Sequence, residues 1–245
     1  MYYRCLDLFY KGFWTTLDWI YPPECASCDE PGFRICKVCE DKITYLEGSF
    51  CRRCGEPIRN GLPLCEVCQI NLPPYTALRS LAWYDGVIRA CIQDLKYNQN
   101  QGLGVWFAVR LSALFKAEGW HADFVVPVPL SKLRMKERGY NQAALIARSL
   151  AASLQLPYKP YGLIRPVDTR SQVGLSAEQR HQNVAGAFKA EPAVVRDKSI
   201  LVIDDVMTTG ATLNAVSHTL FGVGAKAVYC LTVARFSPKL KHDLA

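Results

Sequence analysis

Residues 200–212 are the part of the sequence best suited to chemistry, because an apolar run leads directly into two carboxylates and a hydroxyl-rich loop. Residues 200–203 suit a strand that is buried on both faces. Asp204 and Asp205 follow, and their carboxylates can accept hydrogen bonds from sugar hydroxyls. The segment continues with Val206, Met207, Thr208, Thr209, Gly210, Ala211 and Thr212. A helix expected over about residues 213–221 would offer free N–H groups to an anion. This order of groups predicts a sugar-phosphate site.

The same thirteen residues resemble the motif with which type I phosphoribosyltransferases bind 5-phosphoribosyl-1-pyrophosphate (PRPP): an apolar strand, Asp-Asp, then Thr-Thr-Gly-x-Thr. The resemblance implies that Asp204 and Asp205 hold the ribose hydroxyls at the catalytic centre, and that residues 206–212 hold the 5′-phosphate. It also implies Mg²⁺, bound together with PRPP near the two carboxylates. The sequence has neither a Walker phosphate loop nor a complete Gly-x-Gly-x-x-Gly, which disfavours a P-loop NTPase and a dinucleotide enzyme.

Eight of the eleven cysteines form four Cys-x-x-Cys pairs, separated by 7, 11 and 10 residues. Two such pairs can complete a tetrahedral site of four thiolates, so the spacing predicts two structural zinc ions. In the simplest, sequential pairing one ion has the ligands Cys25, Cys28, Cys36 and Cys39, and the other has Cys51, Cys54, Cys65 and Cys68. Spacing alone leaves an interleaved pairing open, and four thiolates would also suit an iron–sulfur cluster.

Length, hydropathy and charge limit the class of protein. No apolar run in the 245 residues approaches the ~18 needed for a membrane span. Charged residues at 7, 11 and 18 disfavour a signal peptide, so we expect a cytoplasmic protein with reduced thiols, with membrane association only through partners. Residues 1–75 carry 8 Lys/Arg and 10 Asp/Glu, whereas residues 76–245 carry 21 and 12. The basic excess therefore lies with the phosphate motif and favours polyanionic ligands.

The elements around the motif predict an α/β domain with a mostly parallel sheet. A strand over residues 77–84 is followed by helices at about 87–98 and 103–118 and by a short strand at 124–128. Pro73-Pro74 marks a linker. We therefore divide the chain into an aromatic N-terminal helix at 1–21, a double zinc-ribbon-like module at 22–75 and a phosphoribosyltransferase-like domain at 76–245. The N-terminal helix is expected to dock on the protein, with a membrane surface or a partner as the alternative.

A basic segment follows the short strand. Its four cations alternate with a period of two, which does not place them on one helical face, so a loop or irregular turn is predicted. Asn141 is expected to cap a helix beginning at Gln142. A basic loop after a strand suits pyrophosphate, so Leu130, Ser131 and Lys132 are candidate PRPP contacts. Candidates for binding single-stranded DNA are Lys132, Arg134, Lys136, Arg138, Tyr140, Arg170 and Arg180.

Several separate motifs between residues 20 and 236 resemble the ComF family. They are Leu95-Lys96-Tyr97, the Val-Pro-Val-Pro at 126–129, Arg138-Gly-Tyr-Asn-Gln142, the segments at 170–175, 180–183 and 187–188, and the Asp-Asp motif. A cysteine module ahead of a phosphoribosyltransferase domain is also the family architecture. The resemblance implies a role in competence, with DNA-uptake proteins as partners of the zinc module. It also implies a flexible hood over the active site at about 165–183, where Arg170, Gln172 and Arg180 lie.

Three functions remain open at this level. The chain is predicted to be a competence protein that handles single-stranded DNA and binds PRPP or a nucleotide phosphate. An active phosphoribosyltransferase on an unidentified acceptor, and a PRPP-sensing regulator without turnover, are the alternatives. No residue is an obvious reader of an acceptor base. A GntX-like sister group also leaves a metabolic role beside DNA uptake. Pyrophosphate release, salt-dependent DNA binding and PRPP binding without turnover would separate the three.

Overall fold

The computed structural model describes residues 22–58, 62–166 and 186–236. At its centre is a parallel sheet with the strand order β1-β6-β5-β2, which confirms the predicted α/β fold. The strands of this sheet are β1 (Ala77–Trp83), β2 (Phe124–Pro127), β5 (Ser199–Met207) and β6 (Ala227–Arg235). Two short strands, β3 (Leu163–Ile164) and β4 (Lys189–Ala190), form a separate antiparallel pair.

Helices connect the parallel strands. In chain order they are α1 (Lys37–Glu40), α2 (Glu66–Ile70), α3 (Gly86–Tyr97), α4 (Leu103–Ala117), α5 (Lys132–Arg138), α6 (Gln142–Leu154), α7 (Pro192–Val195) and α8 (Ala211–Gly222). Helices α3 and α4 join β1 to β2, and α8 joins β5 to β6. Among the described residues, no helix has the length and apolar character that crossing a membrane requires.

The two faces of the sheet have separate cores because strand residues alternate between faces. Leu201 and Ile203 of β5 lie in the core that contains α3, α4 and α6. Ile200 and Val202 lie in the other core, against α8. In the first cysteine set (Cys25, Cys28, Cys36, Cys39) all but the exposed Cys28 belong to the first core. The second cysteine set (Cys51, Cys54, Cys65, Cys68) belongs to the second core, with Cys65 partly buried against it.

The chain between the two cysteine sets covers the edge of the sheet. Tyr45 forms an antiparallel bridge with Ala82 of β1. Leu46 N–H donates to the Leu81 carbonyl at 3.1 Å, and Trp83 N–H donates to the Thr44 carbonyl at 3.0 Å. Because β1 is an edge strand, this pairing satisfies backbone groups that would otherwise be open to another chain. The cysteine-rich part therefore straddles the sheet edge.

The prediction of a loop at residues 132–138 is wrong, since these residues form helix α5. Ser131 caps the helix by accepting a hydrogen bond from Arg134 N–H at 3.2 Å, and Gly139 ends it with φ 77°. The period-two pattern of the cations places them on two sides of this helix. Lys132 and Lys136 are exposed, whereas Arg134 and Arg138 are half-buried. Local capping thus formed a helix that charge periodicity did not indicate.

Two predictions lie outside the described residues. The aromatic N-terminal helix was expected at residues 1–21. The hood with Arg170, Gln172 and Arg180 falls almost wholly within residues 167–185. Of the hood's flanks, Ala187 and Phe188 are described and buried in the core with α8.

Candidate functional site

The acid pair lies at the carboxyl end of β5. The strand continues to Met207, so Asp204 and Asp205 are in its last part rather than directly after it. Val128 N–H donates to the Ile203 carbonyl at 2.9 Å, which holds the chain after β2 beside the acid pair. The loops that follow β2 and β5 therefore leave the sheet at the carboxyl ends of the strands, where parallel α/β proteins commonly bind ligands.

Asp205 is buried and held by two side chains from other elements. Lys96, near the end of α3, forms an ion pair with Asp205 Oδ2. Gln142, the first residue of α6, lies with Nε2 3.4 Å from Asp205 Oδ1. Asp204 has a different environment: it is half-buried, and its Oδ1 accepts the Asp205 N–H at 2.9 Å. Both oxygens of Asp205 are thus engaged within the protein.

The pKa values of the two carboxyls move in opposite directions. Burial raises the pKa of Asp204 well above its usual range, and the adjacent charge of Asp205 raises it further. Burial would also raise the pKa of Asp205, but Lys96 outweighs it and lowers the pKa to about 2. The attraction of Asp205 in turn raises the pKa of Lys96 against the effect of burial. Asp205 is therefore ionised, whereas Asp204 resists ionisation in the free protein.

The loop after β5 leads directly into α8. Gly210 stands at the helix N-cap with φ 79°, a left-handed conformation that favours glycine. A Cβ on Gly210 would lie 3.4 Å from Met207 Cε, so its backbone angle rather than lack of space requires glycine there. Thr208 is exposed, and Thr209 and Thr212 are half-buried. Ala211 N–H donates to Thr209 Oγ1 at 3.4 Å, so the loop places its threonines and the N-terminus of a twelve-residue helix at the same ends of the strands as the acid pair.

The basic helix α5 lies beside these strand ends. Leu130 is half-buried and Ser131 is buried at the helix cap, so Lys132 is the exposed group of this trio. Asn141 caps α6 as predicted, accepting from Ala143 N–H at 3.0 Å. Tyr140 donates its hydroxyl to the Leu95 carbonyl, which ties the α5–α6 turn to α3.

Arg138 links α5 to the acid pair. Its Nη1 donates to Gln142 Oε1 at 2.8 Å, and the same Gln142 contacts Asp205. The guanidinium carbon of Arg138 lies 5.3 Å from the centroid of the Tyr97 ring. Of the predicted DNA-binding residues, the structure thus describes two exposed lysines and three residues with contacts inside the protein: Arg134, Arg138 and Tyr140.

The eight paired cysteines form two groups of four, and in each group the sulfur atoms lie within 4.8 Å of one another. The grouping is sequential. Burial by itself would raise the pKa of Cys25, but backbone N–H groups of Cys36, Ser27 and Cys28 lower it to about 7. Backbone N–H groups lower the pKa of Cys51 to about 7 in the same way. Four convergent sulfurs with N–H donors fit thiolate ligands, so the two sites suit two structural zinc ions.

The second cysteine set is joined to the end of β6 by Arg235. This residue is 6% exposed, donates to the Cys54 carbonyl at 2.8 Å and pairs with Glu56 at 2.6 Å. Arg235 is also the register partner of Met207, and Phe236 N–H donates to the Met207 carbonyl at 2.9 Å. The second cysteine set and the start of the 208–212 loop are thus braced by the same strand end.

The contact between the second cysteine set and β1 also requires a glycine. Gly55 has φ 67°, and a Cβ there would lie 2.5 Å from the Leu78 carbonyl oxygen. Arg79 of β1 donates to the Cys51 carbonyl at 3.3 Å while its Nε lies 2.7 Å from Glu118. The second cysteine set is therefore packed backbone to backbone against β1.

Sequence reasoning did not assign Lys96, Gln142 or Arg235 to the site. Lys96 and Gln142 lie inside family-like motifs, and Gln142 is also the predicted start of a helix, but neither pattern indicates a contact with Asp205. A signal for Lys96 does exist: it continues the i, i+4 series of Ile88 and Ile92, both fully buried, so a cation extends the buried stripe of α3. No pattern marks Arg235, whose partners come from a distant part of the chain.

Comparison with known proteins gives two domain matches. The profile of the double zinc ribbon domain matches residues 16–69, and that of the phosphoribosyl transferase domain matches residues 137–244. The chain is 31% identical over 208 residues to the DNA utilization protein YhgH of Escherichia coli, which covers 80% of this chain and 89% of that protein. It is 30% identical over 214 residues to competence protein F of Haemophilus influenzae, covering 82% and 90%.

A further relative is competence protein ComFC of Bacillus subtilis, 28% identical over 213 residues, covering 84% of this chain and 86% of that protein. Among solved structures, the allosteric regulatory enzyme of purine biosynthesis is 24% identical with a TM-score of 0.37. That match covers 54% of this chain, which spans only 25% of the enzyme. Trypanosoma cruzi hypoxanthine phosphoribosyltransferase is 16% identical with a TM-score of 0.34, covering 55% of this chain and 64% of that one.

Proposed function

The chain belongs to the ComF family of competence proteins, and from this membership and its site geometry we propose that it binds PRPP and handles incoming single-stranded DNA. Its relatives named as competence proteins and its phosphoribosyltransferase domain support a ComF-type role in competence. The observation that carries the finer proposal is the basic helix α5 beside the strand ends where Asp204 and the 208–212 loop lie.

The PRPP site is proposed because the two carboxylates of the acid pair make different contacts within the protein. Asp205 already contacts Lys96 and Gln142, so its orientation is fixed. Asp204 makes no ion pair with another described residue and is the carboxylate we assign to the ribose hydroxyls. The 5′-phosphate would lie against residues 206–212, which carry three threonine hydroxyls and lead into the N-terminus of α8. A nucleotide phosphate would use the same loop.

The pyrophosphate would extend from the ribose toward the chain after β2. Ser131 and Leu130 position the start of α5, and Lys132 supplies an exposed cation there. Mg²⁺ bound with PRPP would supply charge neutralisation of the pyrophosphate. Lys96 is paired with Asp205, so we assign it the role of keeping that carboxylate ionised and oriented, and not a contact with the ligand.

Single-stranded DNA is assigned to the outer side of α5. Lys132 and Lys136 are exposed one helical turn apart, which suits successive phosphates of one strand. Residues 76–245 carry 21 Lys/Arg against 12 Asp/Glu, so the whole domain attracts polyanions. We place this activity in the cytoplasm, with proteins of the uptake machinery as partners of the zinc module, whose Val38 and Val67 are exposed on α1 and α2.

The test combines binding with transformation. PRPP with Mg²⁺ should raise the melting temperature of the wild-type protein, because a ligand that binds only the folded state stabilises it. A strain carrying Asp204→Asn should then transform less often than wild type, measured beside a clean deletion. If the Asp204→Asn strain and the deletion strain both transform as often as wild type, the competence role is rejected. Release of pyrophosphate when an acceptor is added would then favour a phosphoribosyltransferase as the function.

A further inference from the structure

A cavity of about 130 Å³ lies between the end of α3 and helix α5. Its lining residues are Lys96, Tyr97, Gln99, Glu137 and Arg138. The cavity is separate from the 208–212 loop, and the PRPP site as proposed does not use its two outer walls, Tyr97 and Gln99. Lys96 is shared, because its ammonium pairs with Asp205.

Tyr97 provides an aromatic surface in this cavity. Its side chain is 63% exposed, a high value for a tyrosine at the end of a helix whose inner face is fully buried. Arg138 lies 5.3 Å from the ring centroid and supports the ring by a cation–π contact. A supported ring with most of its surface in solvent is a platform on which a planar group can stack.

Polar groups surround the ring. Gln99 offers an amide, and its φ of 60° is a left-handed conformation that few non-glycine residues adopt. Glu137 offers a carboxylate whose partner, Arg134, is 3.5 Å away. The buried Nε of Arg138 has no hydrogen-bond partner among the described residues. Donors and acceptors around an aromatic platform match the edge and the face of a heterocyclic base.

The cavity is connected to the acid pair by side chains. One connection is Lys96 itself, and the other runs from Arg138 through Gln142, at 2.8 Å, to Asp205, at 3.4 Å. We propose that this cavity binds a nucleobase stacked on Tyr97, presented by single-stranded DNA or by a free nucleotide. The proposal rests on the proposed function, since the phosphates of the same ligand would lie on Lys132 and Lys136.

The experiment compares strands that differ only in their bases. Binding of the full-length zinc-loaded protein to a labelled single strand and to an abasic strand of equal length and charge is measured by anisotropy. The variants are Tyr97→Ala, Tyr97→Trp and the control Tyr161→Ala, which removes a tyrosine that is 85% exposed outside the cavity. A free deoxynucleotide added as competitor distinguishes the two sources of the base.

Stacking predicts that Tyr97→Ala weakens binding of the base-containing strand by about tenfold and leaves the abasic strand unchanged. Tyr97→Trp and Tyr161→Ala should bind as the wild type does. Competition by the free nucleotide in the wild type, but not in Tyr97→Ala, would add free nucleotides to the ligands of the cavity, and failure to compete would limit the ligand to strands.

Two outcomes overturn the inference and can be told apart. Equal binding of the base-containing strand by wild type and Tyr97→Ala would reject the nucleobase cavity while leaving DNA handling in place. No binding of either strand by the wild type would reject both. Unfolding is excluded as a cause by the abasic strand, which a misfolded variant would also fail to bind.

Discussion

Lys96 and Asp205 form an ion pair inside the protein, although Lys96 lies near the end of helix α3 and Asp205 lies in the last part of strand β5. Their side chains are only 17% and 8% exposed. The pair makes the two adjacent carboxylates of the motif unequal: Asp205 is held by Lys96 and Gln142, and Asp204 is the carboxylate that we propose for the ribose hydroxyls. This inequality is the basis of the first two predictions.

Asp204→Asn should stabilise the protein without ligand and abolish its stabilisation by PRPP. The pKa of Asp204 is raised in the folded state, so the folded state holds its proton more tightly, and ionisation at neutral pH opposes folding. Removing that charge should raise the melting temperature by a few degrees at pH 7, and the gain should shrink as pH falls through the folded pKa. Thermal melts with and without PRPP and Mg²⁺ check both effects. A lower melting temperature at pH 7 would contradict the assignment.

Asp205→Asn should instead destabilise the protein by roughly 3–5 kcal/mol, because it leaves the buried Lys96 without its counter-ion. The double variant Lys96→Met/Asp205→Asn should recover part of that loss, measured by denaturant unfolding. The pKa of Asp205 is lowered from 3.8 to about 2, so its contribution is present above pH 3.8 and is lost as pH falls through about 2. Simple addition of the two single-variant losses would argue against the pair.

The protein should bind two zinc ions, one in each group of four cysteines. Zinc ligation in small modules is worth on the order of 10–16 kcal/mol at neutral pH, so losing a ligand should release metal and loosen the attached region. Elemental analysis of the wild type, Cys39→Ser and Cys68→Ser should give close to two, one and one zinc per chain. Iron in place of zinc, or less than one metal ion in fully loaded protein, would reject this assignment.

Arg235→Met should weaken PRPP binding although Arg235 is not a predicted ligand contact. It removes the bridge to Glu56 and Cys54 at the strand end that also holds Met207, the residue before the 208–212 loop. The concentration of PRPP needed for half-maximal thermal shift should rise severalfold, with zinc content unchanged. Arg110→Met is the control, since it breaks a comparable bridge to Glu40 on the first cysteine set. If Arg235→Met and Arg110→Met weaken PRPP binding equally, Arg235 has no specific effect on the 208–212 loop.

Neutralising the exposed side of α5 should reduce the salt dependence of DNA binding. If about four phosphates are neutralised, log K should fall with log salt at a slope near −3, and Lys132→Gln/Lys136→Gln should reduce its magnitude by about 1.4. The control Lys198→Gln/Lys226→Gln makes the same charge change just before β5 and β6, at the amino ends of these strands. Identical slopes for both variants would place the DNA elsewhere.

Features that depend on neighbours along the chain can be predicted from local patterns in the sequence. A local pattern of period, spacing or capping marks the strand–acid–threonine motif, strands β1, β2 and β5, helices α3, α4 and α6, and the Cys-x-x-Cys pairs. Family-like motifs added the domain order and a competence role. Local patterns gave a wrong prediction at α5, because its charges alternate with a period of two although the cap at Ser131 and the stop at Gly139 bound a helix.

Contacts between groups that are distant in the sequence are seen first in the folded structure. It grouped the cysteines sequentially, placed one set on each face of the sheet, and set Lys96 and Gln142 against Asp205. It also made Arg235 the contact between the second cysteine set and Met207, which precedes the 208–212 loop. These contacts arise where the packing of strands and helices brings distant residues together, and a burial-driven arrangement of that kind leaves no fixed spacing in the sequence.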